Sequence, residues 1–453
     1  MTKLPVLGIA TLILLQAPFA AAQTPLERSI DAALAPMFKP DWPGATVIVT
    51  RDGKPLFRKA YGLANLPEKT PMQADMLLRI GSITKQFTAV AILQLAEQGK
   101  LSLQDDVRQH LPDFPDKGRR ISIEHLLQHT SGIPNYTELK AMRNLPKENV
   151  AITQVLEMFK DEALEFAPGT QHKYSNSGYF LLGMVIEKVS GQAYHEYLAQ
   201  NIFEPLGMRD TAHEGNERSS KRRIKGYRLS GKEIVPVAEI DVKIAYAAGA
   251  LVTTVDDMAR WDGAVSGGKL LKPATWRQAF TACSLPQGAP CHYGYGWNIG
   301  ALAGHKMIYH GGSIPGFTAQ AVRLPDDQVF VAVLTNGNGG AVNTQLIAYK
   351  AAAIAIGQPF TEPVPVALAP DVLDAFVGTY VGAGQVKRVV RREGDQLTLQ
   401  RDGRDAAPIR AFGPDSFFME GSLARLEFQR GADGKVRSLL VRQPGVDETA
   451  LRE

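Results

Sequence analysis

The chain has 453 residues, 45% of them hydrophobic and 21% charged, with a formal net charge of +4 at pH 7. That is ordinary globular composition, long enough for a large core and more than one domain. The charge excess is small, and the densest basic run, Arg218 to Lys225, has no aromatic interleaving; it reads as a solvated loop, so no nucleic-acid partner is expected.

Lys3 precedes an apolar stretch from Leu4 to Leu15, then Pro18 and Ala20-Ala21-Ala22. These are the three regions of a secretory signal peptide over residues 1–22, with cleavage after Ala22. The apolar stretch is too short for a membrane anchor, and no cysteine near the cleavage point offers a lipid attachment site. The expected product is periplasmic or secreted, with no integral membrane segment after cleavage.

Leu26 to Phe38 has helical spacing at Ile30, Ala33, Leu34 and Met37. Two β-rich runs, Ala45 to Thr50 and Pro55 to Tyr61, flank Asp52-Gly53 and predict a β-hairpin. Arg79-Ile-Gly-Ser-Ile-Thr-Lys85 comes next, followed by the apolar run Phe87, Val90, Ala91, Ile92, Leu93 and Leu95. Gly99 and Lys100 close it as a glycine C-cap and a dipole-matched cation do. The pattern predicts a largely buried helix with Ser82 in its first turn and Lys85 one turn on, on the same face. A hydroxyl there lies in the positive field of the helix start, and a buried amine beside it can take its proton. Ser82 is therefore the candidate nucleophile. S-x-x-K is expected by chance about twice in a chain this long. A second copy, Ser266-Gly-Gly-Lys269, lies in a glycine-rich loop with no buried helix after it and is read as coincidence.

Residues 101–170 read as helical and loop-rich. His125 and His129 have the i, i+4 spacing of a zinc pair, but no glutamate or third ligand accompanies them. No metal or cofactor is expected, and the two histidines are read as fixing a helix end and its turn. Phe166-Ala-Pro-Gly-Thr170 is a turn leading to Tyr174-Ser-Asn176 in the loop before an apolar helix that ends near Gly191. Cys283 and Cys291 are the only cysteines and, in an exported chain, the candidate disulfide. Residues 300–337 read as a three-stranded meander with His310-Gly-Gly312 between its first two strands, where glycines let a substrate approach the backbone. A helix from Val342 to Ile356 closes this part against the sheet.

Four prolines mark residues 358–370 as a linker. Six short apolar runs separated by turn signals then predict a small all-β, barrel-like domain over 371–453. The expected division is thus a leader at 1–22, a hydrolase domain at 23–357, the linker and the β domain. G-x-S-x-G is absent, which removes sequence support for an α/β-hydrolase nucleophile elbow.

Ser82-Ile-Thr-Lys85, Tyr174-Ser-Asn176 and His310-Gly-Gly312 occur in the order and approximate spacing of three motifs in one family. Together with His129-Thr-Ser-Gly132, Phe166-Ala-Pro-Gly169 and Ala248-Gly-Ala-Leu-Val-Thr-Thr254, they make residues 26–357 resemble the penicillin-binding protein and serine β-lactamase superfamily. The likeness is to its class C-like branch of D-Ala-D-Ala carboxypeptidases and esterases. It implies a mixed α/β (α+β) fold: an antiparallel sheet flanked by helices, an all-helical region beside it, and the site in the cleft between. It also implies roles. Ser82 would attack the carbonyl, Lys85 and Tyr174 would share the proton work, and Asn176 would orient Lys85 or bind substrate. The backbone N–H groups of Ser82 and Ser313 would form the oxyanion hole, with His310 and Gly312 contacting substrate.

The third motif departs from the common K-T-G. His310 replaces a permanent cation with a group only partly protonated near neutrality, and Gly311 removes a hydroxyl that helps hold a substrate carboxylate. That weakens the implication of an efficient β-lactamase or strict D-Ala-D-Ala carboxypeptidase. It favours an ester or peptide-like amide as the small-molecule or peptide-like substrate. A silent scaffold of the same fold, contacting a partner or another copy through the C-terminal β domain, is the competing reading.

Overall fold

The computed structural model describes residues 23–146, 148–216 and 224–453. The expected leader, and Arg218 to Arg223 of the basic run, lie outside the described residues. Ala45 to Thr50 is buried along its whole length, which suits a central strand with both faces covered. It forms β1 (Ala45–Arg51), which pairs with β2 (Lys54–Tyr61) across a turn with Asp52 and Gly53 both at positive φ. That is the conformation a two-residue Asp-Gly hairpin requires. The remaining strands are β3 (Asn298–Leu302), β4 (His305–Ile314), β5 (Phe317–Leu324) and β6 (Val329–Thr335). Together they make one antiparallel sheet in the order β3-β4-β5-β6-β1-β2. The expected three-stranded meander is therefore four-stranded, and His310-Gly-Gly312 lies inside β4 instead of in a connection.

Alternation along β1 divides the packing. Val47 and Val49 face helices α1 (Pro25–Leu34) and α4 (Thr344–Ala355) through Ile30, Leu34, Ile347 and Ala351. Ile48 faces the larger core, which contains α2 (Thr84–Glu97) and α3 (Asn176–Ser190). The helix α2 is buried from Thr84 to Leu95. It ends as predicted: Gly99 N–H donates to the Ala96 carbonyl and Lys100 N–H to that of Leu95, the two bonds of a Schellman motif.

After residues 358–369, which carry no regular element, eight strands between Gly378 and Arg452 close into a barrel. Its core holds Phe376, Tyr380, Leu397, Phe417, Phe428 and Leu439. The barrel touches the main sheet where Gly445 and Ala301 of β3 exchange backbone hydrogen bonds at 2.8 and 3.0 Å. No helix among the described residues is long and apolar enough to cross a membrane.

Candidate active site

Ser82 lies in a 3₁₀ turn, Gly81–Ile83, that runs straight into α2. The serine still sits at the positive end of the α2 dipole, so the favourable field expected of a helix start is retained. Its partner Lys85 is completely buried, and three acceptors surround its Nζ: Ser82 Oγ at 3.0 Å, Asn176 Oδ1 at 2.8 Å and the Ala248 carbonyl at 2.7 Å. None is a carboxylate. Burial without a counter-charge holds the amine well below the ordinary lysine range. A neutral amine fits these contacts: two N–H bonds go to Asn176 and Ala248, and the lone pair faces the Ser82 hydroxyl. The Asn176 amide is oriented from behind, its Nδ2 donating to Asn135 Oδ1 (3.3 Å) and Thr137 Oγ1 (3.2 Å). Its oxygen is thereby turned to Lys85.

Lys85 Nζ also lies 4.8 Å from the ring centre of Tyr174. Burial raises the phenol above its usual value, and the nearby Ser82 hydroxyl pulls it only part of the way back. The cation that would lower this phenol is missing, because the adjacent amine is itself held neutral. Tyr174 is therefore a proton-bearing phenol at neutral pH. Its loop is pinned to His129: Lys173 N–H donates to the His129 carbonyl (3.0 Å), and Ser175 N–H donates to His129 Nδ1 (3.2 Å). The His129 ring lies against Tyr174 with centroids 4.2 Å apart. The two histidines fix a helix end and its turn, as the sequence suggested: His129, at φ +57°, lies in the turn that closes the helix Ile123–Leu127, its N–H donating to the Leu126 carbonyl. His125 Nδ1 accepts from Ser122 N–H in the cap of the helix Ile123–Leu127, whereas His129 belongs to the cradle of Tyr174.

His310 is 3% exposed, and burial followed by the nearby Lys85 pushes it down to about 3. It is thus neutral, which corrects the expectation of a partly protonated group. Its Nδ1 lies 2.6 Å from the Gly311 carbonyl, which can only accept, so Nδ1 carries the proton. Nε2 then accepts from the Tyr293 hydroxyl at 2.8 Å. Tyr293 was missed in the sequence, where it follows the Cys283–Cys291 segment with no motif to mark it. Those cysteines face each other at disulfide distance, with Cα atoms 5.6 Å apart, and they pack with Leu285 and Tyr293 against Tyr174.

Two glycines bring β4 against the serine turn. A Cβ on Gly312 would fall 1.8 Å from the Ile80 carbonyl oxygen, and one on Gly81, at φ +50°, would fall 2.8 Å from Ser313 N. Only bare backbone permits this approach of the Ser82 and Ser313 amides. Ser313 pairs with Thr318, and Ile314 with Phe317, across a two-residue turn. Hydrogen-bonded pairs alternate along an antiparallel ladder, so the Ser313 N–H turns away from β5, toward the serine. The Ser82, Lys85, Tyr174, Asn176, His310, Gly312 and Ser313 positions named in the sequence therefore come together around the serine turn. Ser266 and Lys269 do not. Ser266 ends the helix Val255–Ser266, and its Oγ accepts from Arg323 at 2.6 Å. Among the described residues, no group of three His, Cys, Asp or Glu side chains is placed to hold a metal ion.

The sequence pattern of the Beta-lactamase family matches residues 27–356. Penicillin-binding protein 4* of Bacillus subtilis (strain 168) is 29% identical over 430 residues, spanning 90% of this chain and 94% of that relative. Among solved structures, the octameric penicillin-binding protein homologue from Pyrococcus abyssi superposes with a TM-score of 0.67 at 28% identity, over 94% of this chain and 99% of that one. A D-stereospecific amidohydrolase from Streptomyces sp. superposes with a TM-score of 0.61 at 27% identity, over 71% of this chain and 97% of that one.

Proposed function

The chain belongs to the Beta-lactamase family and is a serine hydrolase; on that premise we propose that it is exported and cleaves an ester or peptide-like amide through an acyl-enzyme on Ser82. The favoured substrates are D-amino-acid or peptidoglycan-derived amides and small esters. The observation that carries the reading is the fully buried Lys85 amine, 3.0 Å from Ser82 Oγ with no carboxylate to hold it protonated. Export rests on the leader sequence, and residues 358–370 and 371–453 are proposed as linker and separate β domain.

The chemistry follows from the two protonation states. Lys85 takes the Ser82 proton as Oγ attacks the substrate carbonyl. The Ser82 and Ser313 N–H groups hold the resulting oxyanion, a contribution of about 3 kcal/mol for each donor. The Tyr174 phenol protonates the departing oxygen or nitrogen and recovers its proton from the Lys85 ammonium. A water then enters by the reverse sequence and releases the acid. Base and acid are thus divided between amine and phenol, because burial acts in opposite directions on a cationic and an anionic conjugate. His310, neutral and fixed by Tyr293, lines the substrate side without charge.

A fluorophosphonate probe tests the nucleophile: the wild type is labelled and Ser82→Ala is not. A panel of p-nitrophenyl esters, D-alanyl peptides and nitrocefin tests the substrate. Ester cleavage with poor nitrocefin turnover is expected; rapid nitrocefin hydrolysis would overturn the substrate preference, and an unlabelled, well-folded wild type would overturn catalysis itself.

A further inference from the structure

Tyr174 stands on residues 171–175, which carry no helix or strand of their own, so contacts from elsewhere must set its place. His129 supplies three. Its carbonyl accepts from Lys173 N–H, its Nδ1 accepts from Ser175 N–H, and its ring lies against the phenol of the residue between them. The chain is thus gripped on each side of Tyr174 and backed at Tyr174 itself. The same ring lies 4.6 Å from that of Tyr293 and 5.1 Å from that of Tyr179, centre to centre, which packs it in place. His129 is 2% exposed, and burial, followed by Lys85, His172 and His310, holds its imidazole well below the usual value, so the ring is uncharged. With Nδ1 accepting, the proton sits on Nε2, which has no hydrogen-bond partner among the described residues. The backbone here is left-handed, at φ +57°, which costs a residue with a Cβ more than it costs glycine. A residue kept only to turn the chain would be spared both costs as glycine.

We infer that His129 is a positioning residue for departure of the leaving group: it holds the Tyr174 phenol where its proton can be passed on, and its loss weakens the expulsion of basic leaving groups in particular. This rests on the reading of Ser82 as nucleophile and Tyr174 as the acid. An activated leaving group such as p-nitrophenolate departs unprotonated. A phenolate, an alkoxide or an amide nitrogen departs far faster when a proton is supplied. Displacing the phenol slightly therefore costs the second class more than the first. The nucleophile is held by other means. Lys85 is fixed by Asn176 and Ala248, and the N–H and Nδ2 of Asn176 both donate to Asn135 Oδ1, at 3.1 and 3.3 Å. Loss of the His129 ring removes none of these contacts.

The test compares kcat/KM for phenyl acetate and p-nitrophenyl acetate, which share an acyl group and differ only in what departs. In His129→Leu the ratio of phenyl to p-nitrophenyl ester should fall about tenfold below the wild type. His129→Asn keeps an acceptor for Ser175 N–H and suits a left-handed backbone but lacks the ring. Its ratio should fall about threefold, and it carries the test alone if His129→Leu fails to fold. Tyr174→Phe lowers the ratio by itself, and adding either His129 substitution to it should change the ratio no further. A wild-type ratio in His129→Asn, loss of both activities in proportion, or an equal fall without the Tyr174 hydroxyl overturns the inference. A wild-type ratio in Tyr174→Phe would instead overturn Tyr174 as the acid, and absence of fluorophosphonate labelling in the wild type would overturn the assignment of Ser82.

Discussion

Ser82–Lys85 and Ser266–Lys269 share the same four-residue spacing and meet opposite surroundings. The first pair opens a helix; the second closes one. Ser266 is the last residue of its helix, and the following Gly267-Gly268 turn lets Lys269 N–H donate to the Ala264 carbonyl at 2.9 Å. That is the Schellman geometry also seen after α2, so the second copy is helix-capping chemistry. Its serine lies at the negative end of the dipole, donates to Asp262 at 3.4 Å and accepts from Arg323, and both Ser266 and Lys269 are exposed. At the first copy the dipole has the other sign, the amine is buried, and no acid is at hand. The lesson is that the spacing supplies only proximity, and reactivity comes from which helix end carries the pair and how dry the amine is.

Each difference can be removed in turn. The largest effect is expected from Ser82→Ala, which should lower ester turnover by roughly 10⁴ or more, while Ser266→Ala turns over at the wild-type rate. Steady-state kinetics on one p-nitrophenyl ester checks both. Next is Lys85→Met, with a fall in kcat of about 10³. The pH profile sharpens this. The protonated amine cannot act as a base, so wild-type kcat should rise with pH through the depressed Lys85 value, and activity is lost on acidification. The upward shift of Tyr174 keeps the phenol protonated, so no alkaline loss from this group should appear below pH 10. A bell centred near neutrality would contradict the division of roles. Gly312→Ala should cost about 10² in kcat by forcing β4 away from the serine turn, with smaller effect on KM. The smallest change is expected from replacing both Cys283 and Cys291 by serine. If the bridge forms, its loss should destabilise the fold by about 2 kcal/mol, read by thermal melting, and reduce kcat a few-fold through looser packing of Tyr174 and Tyr293.

Much of this arrangement was legible in the residues. The largely apolar run after Lys85 predicts a buried α2, and Asp52-Gly53 predicts the hairpin, because both are set by local chemistry. The barrel was legible as a class but not strand by strand. Ala407–Ala411 contains Pro408, and Glu448–Arg452 alternates short and polar residues, so neither reads as an apolar run. His310 was recognised, but its charge state was not. Neutrality comes from burial beside Lys85 and from Tyr293, seventeen residues away on a segment without a motif. His129 was singled out as a turn residue, but its contact with Tyr174 is made across a loop, and local pattern carries no record of that.

The Gly445–Ala301 contact has a consequence for the fate of the molecule outside its own fold. Without it, β3 would be the naked rim of a six-stranded sheet, a template on which an extended segment of another copy could grow. The appended barrel shields that rim with two backbone bonds and a glycine seated against Tyr309. A version of the enzyme trimmed after α4 is therefore expected to precipitate at concentrations where the full chain stays dispersed, even while its cleft remains intact.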